Sequence, residues 1–132
     1  RGFEDRFFVP HSRHTGLNLK DLAAVPALRR LASGRRTGPC LLSTENGRQI
    51  FVTGHPEYDL FTLDAEYRRD LEKGLEISVS ENYYPSDDPA QRPINRWRSH
   101  AHLLYHNWLN YYVYQTTPYD LEELSPLAGE PR

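Results

Sequence analysis

The residues with the most chemical potential in this sequence are His55 and Glu57, inside the octet Val52-Thr53-Gly54-His55-Pro56-Glu57-Tyr58-Asp59. A carboxylate that accepts a hydrogen bond from one imidazole nitrogen fixes the tautomer and leaves the other nitrogen free as a base. If the backbone is extended here, positions i and i+2 share a side and the two side chains can meet. Pro56 stiffens the pair by holding φ at about −65°, and Gly54 lets the chain turn where the apolar run Ile50-Phe51-Val52 ends. The arrangement is two-thirds of a triad, waiting for a nucleophile. A His-x-Glu pair also arises by chance on protein surfaces, so the tripeptide alone leaves both readings open.

The remaining reactive side chains read more simply. Cys40 is the sole thiol; it lies within the strand-like segment Gly38–Thr44 and is expected to be a buried structural cysteine. His102 and His106 share a helix face at a spacing that can hold zinc. No glutamate follows His102 in the manner of zinc proteases, so helix-start hydrogen bonding is expected and no metal site is assigned. Asp87-Asp88 reads as a solvated turn. The tyrosine-rich run from Tyr105 to Tyr119 reads as core or a dimer seam rather than a surface for stacking bases.

The elements that must position these groups follow from patterning. Asn18 is a candidate N-cap for a short helix to about Ala24, stopped by Pro26. Ala27–Ala32, Gly38–Thr44 and Gln49–Thr53 read as strands of a meander. The first two are split at Gly34-Arg35-Arg36, and the last two are joined by a hairpin at Asn46-Gly47. Thr62 is expected to cap a helix to about Lys73, with Leu63, Tyr67 and Leu71 as its apolar stripe and Gly74 as its stop. Leu75 to Asn95, with Pro85, Pro89 and Pro93, is expected to be irregular, with Tyr83 and Tyr84 packed down onto something. Ser99 opens the longest helix, to about Tyr114, whose broad apolar face wants burial between layers.

Bulk properties bound the rest. A chain of 132 residues is one domain's worth at most, and its 38% apolar and 26% charged content is ordinary for a globular protein. A net charge of −2 gives no support to electrostatic nucleic-acid binding. No apolar stretch approaches the roughly 18 residues of a membrane span, and one cysteine fits a reducing compartment; a cytoplasmic location is expected. Two helices and a meander are little with which to bury two tryptophans, nine tyrosines and five phenylalanines. That excess, with the start at Arg1 and the loop-like Gly2–Pro10, leads to the expectation of a piece of a larger domain.

The octet resembles the His-Pro-Glu strand end of class I glutamine amidotransferase-like enzymes. More narrowly, the chain resembles the homoserine O-succinyltransferase/O-acetyltransferase family. The matching stretches are Gly2–Asp5, Pro10–Arg13, Phe51–Asp59, Trp97–His100 and Asn107–Leu121, in family order. The resemblance implies an α/β fold, the C-terminal half of a flavodoxin-like, class I glutamine amidotransferase-like domain over residues 1–124, with a disordered tail at 125–132. It implies transfer of a succinyl or acetyl group from acyl-CoA to the hydroxyl of L-homoserine, through an acyl-cysteine, in methionine biosynthesis. His55 would be the base and Glu57 its orienting carboxylate; Arg69 and Ser12 would bind substrate. Acyl-CoA is a co-substrate, and no bound cofactor is implied. The departure from the family pattern is the nucleophile: nothing in residues 1–54 resembles its glycine-containing strand-to-helix turn. The expected partner is therefore an N-terminal half carrying that cysteine, within a homodimer, and this chain alone should be inactive. The rivals are a glutamine amidotransferase-like hydrolase and a non-catalytic binding module retaining a remnant site.

Overall fold

The computed structural model describes residues 1–117. The tail expected at 125–132 lies outside them, as does the end of the Asn107–Leu121 stretch. After an irregular opening, α1 spans Leu19–Ala23, and the Asn18 side chain accepts the Lys20 amide at 2.9 Å, the N-cap expected of it. Three antiparallel strands follow in the order β1 (Leu28–Gly34), β2 (Gly38–Thr44) and β3 (Ile50–Val52). The meander is as expected. Its first strand begins a residue later and runs on to Gly34, and its third is shorter at both ends. β1 pairs along β2 with a register shift between Arg30 and Ala32, which leaves Leu31 as the extra residue of a bulge. The central strand is the buried one, with Pro39, Cys40, Leu42 and Ser43 inside, whereas β1 is largely exposed. The β2–β3 turn holds Gly47 at φ +67°, with the Tyr112 ring so close that a Cβ would lie 1.7 Å from it.

α2 covers Thr62–Glu72. Thr62 is its first residue, not its cap: Phe61 occupies the cap position without a side-chain hydrogen bond. The free amide of Asp64 is met from outside, by the Tyr83 hydroxyl at 3.2 Å. That hydroxyl donates to the Leu60 carbonyl. The helix ends as Gly74 predicts. Gly74 sits at φ +72°, its amide bonds Leu71 O at 2.9 Å, and the Leu75 amide bonds Asp70 O at 3.0 Å, the Schellman pair. Of the expected stripe, Leu63 is buried but Leu71 is 47% exposed. The long segment 75–95 is irregular except for a 3-10 turn at Pro85–Asp87. Arg68 ties it to α2, bonding Pro89 O at 3.0 Å as well as Asp64 at 2.9 Å.

α3 runs Arg98–Trp108, its first amides bonded to the Asn95 side chain, and then widens into a π-helical turn over Leu109–Val113 rather than continuing to Tyr114. Leu63, Tyr83, Tyr84 and Trp97 form the core between α2, the long segment and the start of α3, with Tyr58 and Val79 packed against it. Tyr83 and Tyr84 are thus packed down as expected. The broad face of the last helix is not: Trp108, Tyr111 and Tyr112 are all exposed. These elements make an α/β chain with a small antiparallel sheet, in which a second apolar cluster, Phe3, Phe7 and His100, seats the opening segment on α3. Among the described residues, no helix is long and apolar enough to cross a membrane.

Candidate active site

β3 stops at Val52, and His55 sits in a turn beyond it. The Tyr58 amide donates to His55 O at 3.2 Å, so residues 55–58 form a β-turn with Pro56 second, the position its fixed φ suits. His55 Nδ1 lies 2.8 Å from Glu57 Oε1. The two side chains therefore meet, but through a turn rather than the extended backbone expected of them. The same turn brings its fourth residue over the ring. Tyr58 stacks on His55 with centroids 4.3 Å apart and planes 15° apart.

The opening segment holds the turn from the other side. The His55 amide donates to Pro10 O at 2.8 Å. Gly54 is buried between them; a Cβ there would meet Val9 Cγ1 at 2.6 Å, Pro10 O at 2.9 Å and His11 Cε1 at 3.0 Å. Glycine is needed here for close approach. Ser12 is half-buried two residues past that Pro10 carbonyl, so its segment runs against the turn. His11 between them has its pKa lowered, first by burial and then by the proximity of Arg13 and His55. Its Nδ1 is buried without a partner among the described residues.

Arg69 stands on α2, near Tyr58 and near Glu66, whose charge it feels. Its guanidinium is engaged by the neighbouring Asp70 carboxylate in a two-pronged contact of 2.7 and 3.0 Å. That contact raises the Arg69 pKa and holds the Asp70 carboxyl below the usual carboxylate range. A substrate carboxylate would have to compete with Asp70 for this fork, and the side chain is half exposed, so exchange costs little. The structure thus brings His55, Glu57 and the Ser12 segment together, with Arg69 within electrostatic reach of Tyr58.

Tyr58 was missed as a site residue, although it lies inside the octet. Its hydroxyl donates to Glu66 Oε1 at 2.9 Å, and its carbonyl accepts the Trp97 ring N–H at 2.9 Å. The available signal was Trp97 itself, since a buried indole needs an acceptor. Nothing in the sequence indicated which one.

Beside Glu57, a pocket of about 320 Å³ opens between the turn and α3, lined by Pro56, Glu57, Tyr58, Arg98, His102 and Tyr105 among others. Cys40 lies elsewhere, 6% exposed, against a small void lined by Phe7, Val52, Pro56 and Leu104. Burial pushes its thiol pKa up, the reverse of what a nucleophile needs. It is the buried cysteine its strand pattern suggests. Among the described residues, no group of three or more His, Cys, Asp or Glu side chains could hold a metal ion.

The chain is 59% identical over 124 residues to a homoserine O-acetyltransferase of Desulfitobacterium hafniense, covering 94% of this chain and 40% of that protein. It is 57% identical over 122 residues to the homoserine O-acetyltransferase of Geobacillus kaustophilus, with 92% and 40% covered. It is 53% identical over 124 residues to that of Petrotoga mobilis, with 94% and 40% covered. The chain thus spans 40% of the length of these relatives. The sequence model of the family described as homoserine O-succinyltransferase matches residues 1–119. That match takes in the opening segment, the His55–Glu57 turn and α3, and the chain belongs to the homoserine O-succinyltransferase family.

Proposed function

We propose that this chain supplies the base and the substrate-binding side chains of a homoserine O-acyltransferase whose nucleophile lies in another part of the polypeptide. The observation that carries the reading is the 2.8 Å His55–Glu57 contact in a turn held on both sides, in a chain of this family. With Nδ1–H bonded to Glu57, the Nε2 lone pair of His55 is free to take a proton.

The reaction runs in two halves. A cysteine thiolate attacks the thioester carbonyl of acyl-CoA; the S–C bond to CoA breaks, and CoA leaves as the thiol with a proton from the imidazolium. The homoserine hydroxyl then attacks the acyl-cysteine while His55 Nε2 accepts its proton, and the thiolate departs. His55 serves as acid in the first half and as base in the second, and Glu57 stabilises the imidazolium that is present before CoA departs and forms again as homoserine attacks. Arg69 receives the carboxylate of homoserine as a two-pronged partner in place of Asp70, and Ser12 contacts the substrate beside the base.

The exposed aromatic residues of the last helix and the short sheet fit one half of a flavodoxin-like, class I glutamine amidotransferase-like domain, completed by an N-terminal half and assembled as a homodimer. Methionine biosynthesis, in the cytoplasm, is part of the same reading, with homoserine as the acceptor. The donor is acetyl-CoA or succinyl-CoA: the relatives are named for acetyl transfer and the family model for succinyl transfer. Competition between the two donors in the full-length enzyme separates them. The reading is tested by assaying homoserine acylation in full-length His55→Ala. Turnover is expected to fall by about 10³-fold or more with folding intact, and unchanged turnover removes His55 from the chemistry.

A further inference from the structure

The geometry points to Tyr58 as a positioning residue that aims the His55 imidazole and ties it to the helix bearing Arg69. This rests on the acyl-transfer reading above. A carboxylate bond at one nitrogen constrains an imidazole along one direction in its plane, but the ring can still swing about that bond. Glu57, half exposed, is a yielding anchor by itself. The Tyr58 ring lies nearly parallel on the imidazole, 4.3 Å away, and blocks that swing. Nε2 is then fixed in direction as well as in tautomer.

Tyr58 can do this because it is itself held at three points. Its amide bonds His55 O at 3.2 Å, its carbonyl accepts from Trp97 Nε1 at 2.9 Å, and its hydroxyl donates to Glu66 Oε1 at 2.9 Å. Trp97 is 4% exposed and belongs to the core, so the carbonyl is anchored on buried, packed structure. Glu66 and Arg69 stand three residues apart on one face of α2. The other carboxylate oxygen of Glu66 is buried without a hydrogen bond among the described residues, which makes the phenol its main partner. The phenol is held protonated, with its pKa pushed up to about 12 by burial and by Glu66, so it remains a donor through neutral pH. Tyr58 thereby links the base to α2 through one hydrogen bond and one stacked ring.

The test compares Tyr58→Leu, Tyr58→Phe and His55→Ala in the full-length enzyme by steady-state kinetics, with thermal melts alongside. Tyr58→Leu is expected to lower kcat by about 10- to 100-fold while KM for homoserine stays within about twofold, since aim is lost and binding is not. Tyr58→Phe keeps the ring and loses the tether; it should restore most of the stack's effect, leaving a loss of about 3- to 10-fold. In isotope-labelled protein, the His55 ring should keep one tautomer in both, since Glu57 remains, and show greater ring mobility in Tyr58→Leu. If Tyr58→Leu does not fold, the Phe variant decides alone. Parent-like kcat in the folded variants beside an inactive His55→Ala overturns the positioning role and leaves the acyl-transfer reading standing. A rise in KM matching the fall in kcat/KM, with kcat unchanged, also overturns the positioning role. Turnover retained in His55→Ala overturns both.

Discussion

Replacing Gly54 by alanine should disturb the site without touching any group that does chemistry. The added methyl would stand 2.6 Å from Val9 Cγ1, 2.9 Å from Pro10 O and 3.0 Å from His11 Cε1. Two of these distances lie well inside ordinary carbon contact, and the second is to main chain, which cannot simply rotate away. The opening segment must move off the turn by roughly an ångström, an overpacking penalty of about 1–3 kcal/mol. The 2.8 Å bond from the His55 amide to Pro10 O is strained or lost with it, adding about 0.5–1.5 kcal/mol. Together these come to about 1.5–4.5 kcal/mol, a large fraction of a domain's typical stability. An ångström of displacement at the base lowers turnover by about 10²-fold. Urea unfolding and steady-state kinetics of the full-length Gly54→Ala enzyme measure both. A variant with parent-like midpoint and parent-like kcat would refute the claim that the opening segment clamps the turn.

Other perturbations separate the contributions of neighbouring groups. Glu57→Gln keeps the shape but allows the wrong tautomer and removes the charge, so kcat should fall by about 10²–10⁴-fold with little change in KM, read by the same kinetics. Arg69→Lys loses the two-pronged fork; KM for homoserine should rise by about tenfold with kcat retained, as titration with homoserine will show. Cys40→Ala should leave turnover intact and cost about 1–2 kcal/mol in urea unfolding, since the thiol is buried and held protonated. The pH dependence of stability should fall off at both ends. The Tyr58 phenol, raised to about 12 by burial and Glu66, stabilises the fold below the usual phenol pKa, and that contribution is lost between about pH 10 and 12. Asp64, lowered by hydrogen bonds from Arg68 and Tyr84, stabilises the fold above the ordinary carboxylate pKa and loses its contribution as pH falls through the lowered value. Urea midpoints in Tyr58→Phe and Asp64→Asn should show flatter alkaline and acid limbs respectively.

Much of the positioning framework was legible because it rests on local chemistry. Asn18 caps its helix, Asn46-Gly47 turns its hairpin and Gly74 stops α2, each through interactions within a few residues. The His55–Glu57 contact was also legible, but for the wrong reason: Pro56 builds a turn where alternation along a strand was expected. What escaped reading depends on partners distant in sequence. Tyr83, nineteen residues from Asp64, meets the helix-start amide that Thr62 was expected to serve. Tyr58 reaches Glu66 on α2 and Trp97 at the head of α3, and no local pattern announces either contact. The last helix showed its apolar breadth but not its π-helical turn, and Trp108 and Tyr111 remain exposed. Periodicity reports that a face wants covering and says nothing of what covers it.

Mapping the acyl group by mass spectrometry, after mixing the full-length enzyme with acetyl-CoA or succinyl-CoA, tests the division of labour between His55 and a distant nucleophile most directly. A single thioester on a cysteine other than Cys40, discharged when homoserine is added, is expected. Absence of any covalent adduct under turnover, or an adduct on Cys40, would contradict it.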